Sequence, residues 1–470
     1  MLFRTLHVGA SGLRVSQAGL ATVGHNIANA DVEGYSRQRA ELEANRPSVL
    51  GYHPSYFGNG AGVMTVGRAN DEFYERQSRL DATAVGFYEG RADTLNAVER
   101  LYGGATDPDL GGAFDAFFNT ARELTQEPDD LSVRRSFLQA AQGIATAFNT
   151  LDREIRAVQR GIDDTLSDKM NRVNDLAKTI AEMNAKVVAG ELDDRQANDF
   201  RDTRDQAIRE LSKLIDVNTM TQPDGSVTVE IQRGNALVQG NQAARLQGTP
   251  NAANGGLLDV EYVGFNNTIV NLTQVINRGE IGGLLDVRDQ RLAQDLTTLD
   301  TLAQTFATSV NVQHQAGFGL DGVNNRPLFL APVPPPGTAA NLTVDPLMLA
   351  NPDFVAASQG AATLPGDNRN MQLLADLQNA PQLALGNVTF NRRYGQMLHD
   401  VGLTASDNTR RLNVSKVKAE QSEGLRESVE GVSIDDEMIE LTKFQKHFEA
   451  NSKIISTVDQ LLDTVMQLIR

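Results

Sequence analysis

Few residues of this 470-residue chain have the types and spacing that chemistry needs. The string Gly317-Phe318-Gly319-Leu320-Asp321-Gly322 matches G-x-G-x-x-G, but a dinucleotide site needs that string after a strand and opening a helix, where backbone amides can meet a pyrophosphate. Here a helical pattern precedes it and Asn and Pro follow, so it reads as a helix-terminating loop. The six histidines, His7, His25, His53, His314, His399 and His447, include no pair at i, i+4 and form no metal-ligand pattern. Asp193-Asp194 and Asp435-Asp436 are adjacent carboxylates, each where a helix begins, and the helix dipole is reason enough for them. With no cysteine there is no thiolate nucleophile, disulfide or Cys-bound zinc. No nucleophile elbow or phosphate-binding loop occurs. The expectation is therefore no catalytic residue, no cofactor-binding residue, no metal ligand, no cofactor and no enzyme.

The elements point to packing instead. A net charge of -17 opposes nucleic acid, whose binding relies on Lys and Arg displacing counterions. That charge is uneven: residues 1 to 46 carry five basic and four acidic side chains, residues 405 to 470 nine and twelve, leaving about -15 in the middle. Near-neutral ends suit dense packing against copies of themselves, and an acidic middle suits a solvated exterior. No stretch approaches the ~20 apolar residues of a membrane span. Charge and glycine break the first ten residues before a signal-peptide core can form.

All fifteen prolines lie between Pro47 and Pro381, so both ends are free to be helical. Leu6, Leu13, Leu20 and Ile27 recur every seven residues, with Gly9, Ser16 and Val23 at the intervening step, a coiled-coil-like seam. Ile434, Leu441, Phe448, Ile455, Leu462 and Ile469 keep the same period at the other end, after a Ser433 N-cap and an acidic first turn. Four glycines in the first helix, Gly9, Gly12, Gly19 and Gly24, each cost ~1 kcal/mol relative to Ala. That helix needs a partner.

Between the ends, an almost unbroken three-four pattern from Leu131 to Val188 predicts one very long helix, with companions over 71–101, 195–215 and 292–310. Val227, Val229 and Ile231 alternate after the turn Pro223-Asp224-Gly225 and start a small β unit. The expected fold is mainly α with a β-rich insertion: a terminal helical coiled-coil domain (1–70 plus 404–470), a long-helix bundle (71–215 plus 281–326 plus 382–403), an inserted β-rich domain (216–280) and a loop-rich segment (327–381).

Strings in three regions, the two ends and the middle, carry a family resemblance. Asn26-Ile27-Ala28-Asn29-Ala30-Asp31-Val32-Glu33-Gly34-Tyr35-Ser36-Arg37-Gln38 resembles the N-terminal signature of flagellar rod, hook and hook-associated proteins, with Val32-Glu33 where that family usually has Thr-Pro. Gly431-Val432-Ser433-Ile434-Asp435-Asp436-Glu437, with Phe444-Gln445 and the run from Lys453 to Thr457, is similar to its C-terminal helix; His447 and Asn451 replace usually small residues. In the middle, Ala197 to Asp205, Asp224 to Val227 and Gly282 to Asp289 resemble the hook-associated branch in sequence and order. The resemblance implies a structural subunit of the bacterial flagellum at the hook-filament junction, exported by the flagellar type III system and extracellular. Its implied partners are copies of itself in a ring, the hook protein, a second junction protein and an export chaperone. The implied assembly interface is Leu6, Leu13, Leu20, Asn26, Ile27, Asn29, Gly34, Tyr35, Arg37 and Gln38 with the six C-terminal seam residues; Leu441, Phe448, Ile455, Leu462 and Ile469 are the implied chaperone face. Two other readings stay open: a hook or distal-rod subunit, and a surface adhesin using residues 216–280.

Seams without partners do not hold order, so a dilute monomer is expected to exchange amide hydrogens quickly over residues 1 to roughly 60 and 410 to 470, around a protected bundle. Hydrogen exchange checks this, and uniform protection of both ends would contradict it.

Overall fold

The computed structural model describes residues 2–50, 55–102, 109–191, 196–232, 234–330 and 334–468. Where proline is absent and apolar residues recur every three or four positions, the chain is helical. The run from Leu131 to Gly190 forms a single helix, α4, 60 residues long, which spans roughly 90 Å at 1.5 Å per residue. Asp130 caps it, accepting from the Ser132 and Val133 amides at 2.6 and 3.3 Å. One face buries Phe137, Ile144, Phe148, Ile155, Ile162, Leu166, Met170 and Val173, so the stripe read from the sequence is the core-facing stripe.

The other elements array themselves on that rod. In chain order they are α1 (Leu2–Ala28), strands β1 (Gln38–Ala44), β2 (Ser48–Leu50), β3 (Ser55–Phe57) and β4 (Ala61–Arg68), then α2 (Glu72–Tyr102), α3 (Leu110–Gln126), α4 and α5 (Asn198–Leu214). Strands β5 (Val217–Thr221), β6 (Val227–Ile231), β7 (Asn235–Gln239), β8 (Gln242–Ala243), β9 (Arg245–Pro250), β10 (Leu258–Val263) and β11 (Ile269–Asn271) follow. Next come α6 (Gly279–Asp286), a π turn (Val287–Arg291), α7 (Leu292–Ala316), the short α8 (Thr338–Asn341) and α9 (Pro346–Ala350), α10 (Arg369–Asp376), α11 (Phe390–Glu430) and α12 (Ile434–Leu468).

Strands β5 to β8 form an antiparallel sheet in that order, and β9 to β11 a second, ordered β11-β10-β9. The turn at Gly225 takes φ +82°, which glycine adopts freely, and Asp224 accepts from the Ser226 amide at 3.0 Å. At the other end of α4, Phe306 lies at the centre of a ring cluster with Phe114, Phe117, Phe118, Phe148, Phe329 and Phe390, at centroid distances of 5.2 to 6.3 Å. The expected boundary at residue 404 falls inside α11. That helix has no proline or capping signal there and continues unbroken to Glu430.

The stretch from 327 to 381 has little regular structure, yet Phe329, Leu342, Val344, Met348, Val355, Met371 and Leu374 are buried. Side chains replace a strand ladder there. Asn311 accepts from the Leu328 and Phe329 amides at 2.9 Å each and donates to the Phe329 carbonyl at 2.9 Å. The fully buried Arg134 donates to the Pro128 and Val355 carbonyls at 2.7 and 2.8 Å. His314, also fully buried, accepts from the Ala356 amide through Nε2 at 3.0 Å and donates through Nδ1 to the Arg326 carbonyl at 2.7 Å. Gly317-to-Gly322 is the loop that ends α7: Phe318 bridges to Ser358, and a Cβ at Gly317 would run into the Asn370 side chain. Of the adjacent carboxylates, Asp193 and Asp194 lie outside the described residues, as do 331–333 of the loop-rich segment.

Burial pushes the His314 imidazole down to about 4. An unfolded chain takes up that proton near pH 6.5 while the folded one stays neutral, so its contribution is complete above pH 6.5 and is lost as pH falls toward 4. The loss should reach roughly 3 kcal/mol. Urea midpoints at pH 7.5 and 4.5 should differ more for the natural protein than for His314→Gln, whose amide can keep both hydrogen bonds.

Candidate assembly interface

The two ends pair with each other within one chain, so the seams expected to stand without partners in a dilute monomer already have one. A Cβ at Gly9 would sit 3.0 Å from Ile455, one at Gly12 would overlap the Asn451 side chain, and one at Gly19 would lie 2.5 Å from the Phe444 ring. As the number falls on one helix it rises on the other, so α1 and α12 run antiparallel. Gly9, Ser11, Val15, Ser16, Gly19, Val23 and Asn26 are the buried positions of α1. Leu6, Leu13, Leu20 and Ile27 form the half-buried flank beside them. Small residues take the centre because they let the backbones approach and leave room for Phe444 and Ile455 as knobs. The glycines that weaken α1 alone are what let α12 dock on it.

On α12 the inward positions are Glu437, Leu441, Phe444, Phe448, Asn451, Ile455, Val458 and Leu462. Ile434, expected on this seam, is instead 52% exposed, because the first inward position falls to Glu437 one turn later. Ile469 lies outside the described residues. The paired carboxylates Asp435 and Asp436 are exposed in the first turn.

Where α1 ends, the string around Asn26 builds a polar hub. The Asn26 side chain, 1% exposed, makes four hydrogen bonds: Nδ2 donates to the Gln38 carbonyl at 2.9 Å and to Glu437 Oε2 at 3.0 Å, while Oδ1 accepts from the Tyr35 hydroxyl at 2.8 Å and the Gln38 amide at 3.0 Å. That uses its full capacity. Asn29 folds back to the His25 carbonyl at 2.9 Å, closing the helix, and Gly34 turns the chain at φ +81°. Arg37 then binds Glu437 at 2.6 Å through Nε, and its amide donates to the Glu430 carbonyl at the end of α11 at 2.7 Å.

The middle string meets the same hub. Asp199 accepts from Gln38 Nε2 at 3.0 Å, Asp202 accepts from the Ser36 amide at 3.2 Å and from Arg68 at 2.8 Å, and Asp205 also pairs with Arg68. Burial lifts the Asp202 carboxyl above its usual range, Arg68 offsetting it only in part. Burial, then Asp202, Asp199 and Glu437, hold the Tyr35 phenol well above its usual value, so it remains a donor. Of the strings singled out in the sequence, the N-terminal one, the C-terminal one and Ala197 to Asp205 thus converge in space. Glu437 and the α5 carboxylates lie inside the strings quoted for the family resemblance, but sequence reading did not assign them to the interface. Among the described residues no group of His, Cys, Asp and Glu is arranged to hold a metal. No described helix is long and apolar enough to cross a membrane.

Antiparallel ends closing a helical body define a subunit of the flagellar axial class: residues 6–35 match the family model described as flagella basal body rod protein, and residues 428–468 the flagellar basal body rod FlgEFG protein C-terminal model. Residues 95–329, half of the chain, match the model described as flagellar hook-associated protein FlgK helical domain, and the chain belongs to that family. Flagellar hook-associated protein 1 of Salmonella typhimurium is 27% identical over 97% of this chain and 98% of its own, and that of Bacillus subtilis 26% over 99% and 98%. The solved flagellar hook junction protein FlgK from Burkholderia pseudomallei shares the fold, with a TM-score of 0.66 at 14% identity over 75% of this chain and 100% of that one.

Two glycines on one helix should behave oppositely. Gly24 is exposed with nothing within 4 Å of a Cβ, so Gly24→Ala should stabilise α1 by about 0.5–1 kcal/mol. Gly19→Val should part α1 from α12. Limited proteolysis of the termini reads both: slower cleavage for the first variant, faster for the second.

Proposed function

We propose that the paired termini are the surface through which this structural subunit of the flagellar hook-filament junction packs against its neighbours: further copies of itself in a ring, the hook protein on one side and a second junction protein on the other. The observation that carries the reading is the outward face of the pair. Phe3 is 78% exposed, Ile439 66% and Met466 68%, with Leu461 and Val465 also open, so a large apolar surface remains after α1 and α12 have covered each other. Surface of that kind is an association site. A hook or distal-rod position would use the same ends; residues 95–329 favour the junction.

Before assembly the inward face of α12 needs cover whenever α1 is not on it. The chain is exported through the flagellar type III channel and ends outside the cell, with an export chaperone on Leu441, Phe448, Ile455, Leu462 and Ile469 until then. Those residues pack against α1 afterwards, so chaperone binding and the paired termini that assemble exclude one another. The role is structural, without catalysis.

Phe448→Asp and Leu462→Asp should weaken chaperone binding and also block junction assembly, because a charge in the seam must be desolvated at a cost of several kcal/mol. Ile439→Asp, on the outward face, should spare the α1–α12 pair and still block assembly. Chaperone titration and electron microscopy of mutant cells check this, with hooks lacking filaments as the expected phenotype. Normal filaments on all three variants would overturn the reading.

A further inference from the structure

Among the described residues several strands have an unpaired side, β5 and β1 among them. Strand β5 pairs only with β6, and β1 only with β4 apart from the Gln38 amide and carbonyl, which Asn26 takes, so each presents backbone N–H and C=O groups on its other side. Beside the β5 edge lies a cleft of about 550 Å³, walled on the far side by α2. The arrangement of a strand edge facing a helix is one that receives extended peptide.

The lining calls for both donors and acceptors. Arg76 and Arg79 stand on the α2 wall, with Arg79 donating to Thr219 Oγ1 at 3.2 Å across the cleft. Glu75 is buried at the base; its Oε1 accepts from Arg209 at 2.8 Å, but Oε2 has no hydrogen-bond partner and lies 3.6 Å from Arg79. That Glu75 oxygen has no surface open to the cleft, so an incoming group meets the arginines and the β5 edge. A peptide main chain suits the edge, and acidic side chains suit the arginines.

The chain itself carries such a strand. In β1, Glu41 and Glu43 are exposed on one face, and Leu42, 50% exposed, lies on the other. We propose that β1 of one copy adds to the open edge of β5 in the next copy, with Glu41 and Glu43 against Arg76 and Arg79 and Leu42 against Met220, which is 44% exposed. Such a contact joins two different surfaces. It is therefore head-to-tail and builds a ring or helix, never a closed two-fold dimer.

This rests on the self-association proposed above, and the test separates the two. The chain has no cysteine, so engineered pairs report alone. Cells co-producing Leu42→Cys and Met220→Cys forms yield isolated flagella that are oxidised and analysed for cross-linked dimer. The expected result is a dimer with this pair and none with Leu42→Cys paired to Val312→Cys, a residue more open than Met220 at 64% exposure. Adding Arg76→Glu should lower the yield about fivefold, and adding Glu43→Arg to the partner should restore it. If the protein is missing from the isolated flagella, the junction reading falls and this contact with it. Protein present with no cross-link above the control overturns the strand addition alone.

Discussion

The antiparallel approach of the first and last helices sets the conditions for the rest of the molecule. Gly9, Gly12 and Gly19 let α12 come near enough for Phe444 and Ile455 to enter the α1 surface, where any Cβ would collide. Glycine in a helix interior weakens it by about as much as burying one methylene contributes. Each helix is thus made stable by the other rather than by its own propensity. Because the two ends are joined, everything between them begins and finishes at one place.

That place is the hub around Asn26. Four hydrogen bonds from one buried amide connect α1, the exit through Tyr35 and Gln38, and Glu437 at the start of α12. Arg37 extends the connection to the end of α11, and Arg68 with Asp202 and Asp205 extends it to α5. A buried polar network specifies one geometry when every member is satisfied. Here it fixes the angle at which the terminal pair leaves the bundle.

Beyond the hub the molecule uses two different means of order. Along α4 and the phenylalanine cluster, apolar burial does the work. In the irregular segment that follows α7, backbone groups are satisfied by Asn311, Arg134 and His314. Such a segment can be well packed with no periodic signal, since its order comes from single side chains far away in sequence.

The sequence by itself determined the long helix, the alternation that starts the β unit, the helical character of both ends and the absence of cysteine. Period, proline placement and turn residues act locally and survive in a linear reading. It also marked the two terminal strings and Ala197 to Asp205. Only the tertiary structure decided that those strings meet, that Glu437 rather than Ile434 is the first inward residue of α12, and that small residues form the centre of the α1 face with leucines on its flank. An ideal helix offers more than one seven-residue stripe, and which one is buried depends on the partner's side chains. The packing of 327–381 was hidden for a related reason: a hydrogen bond between residues 314 and 356 leaves no trace in either residue's neighbours along the chain.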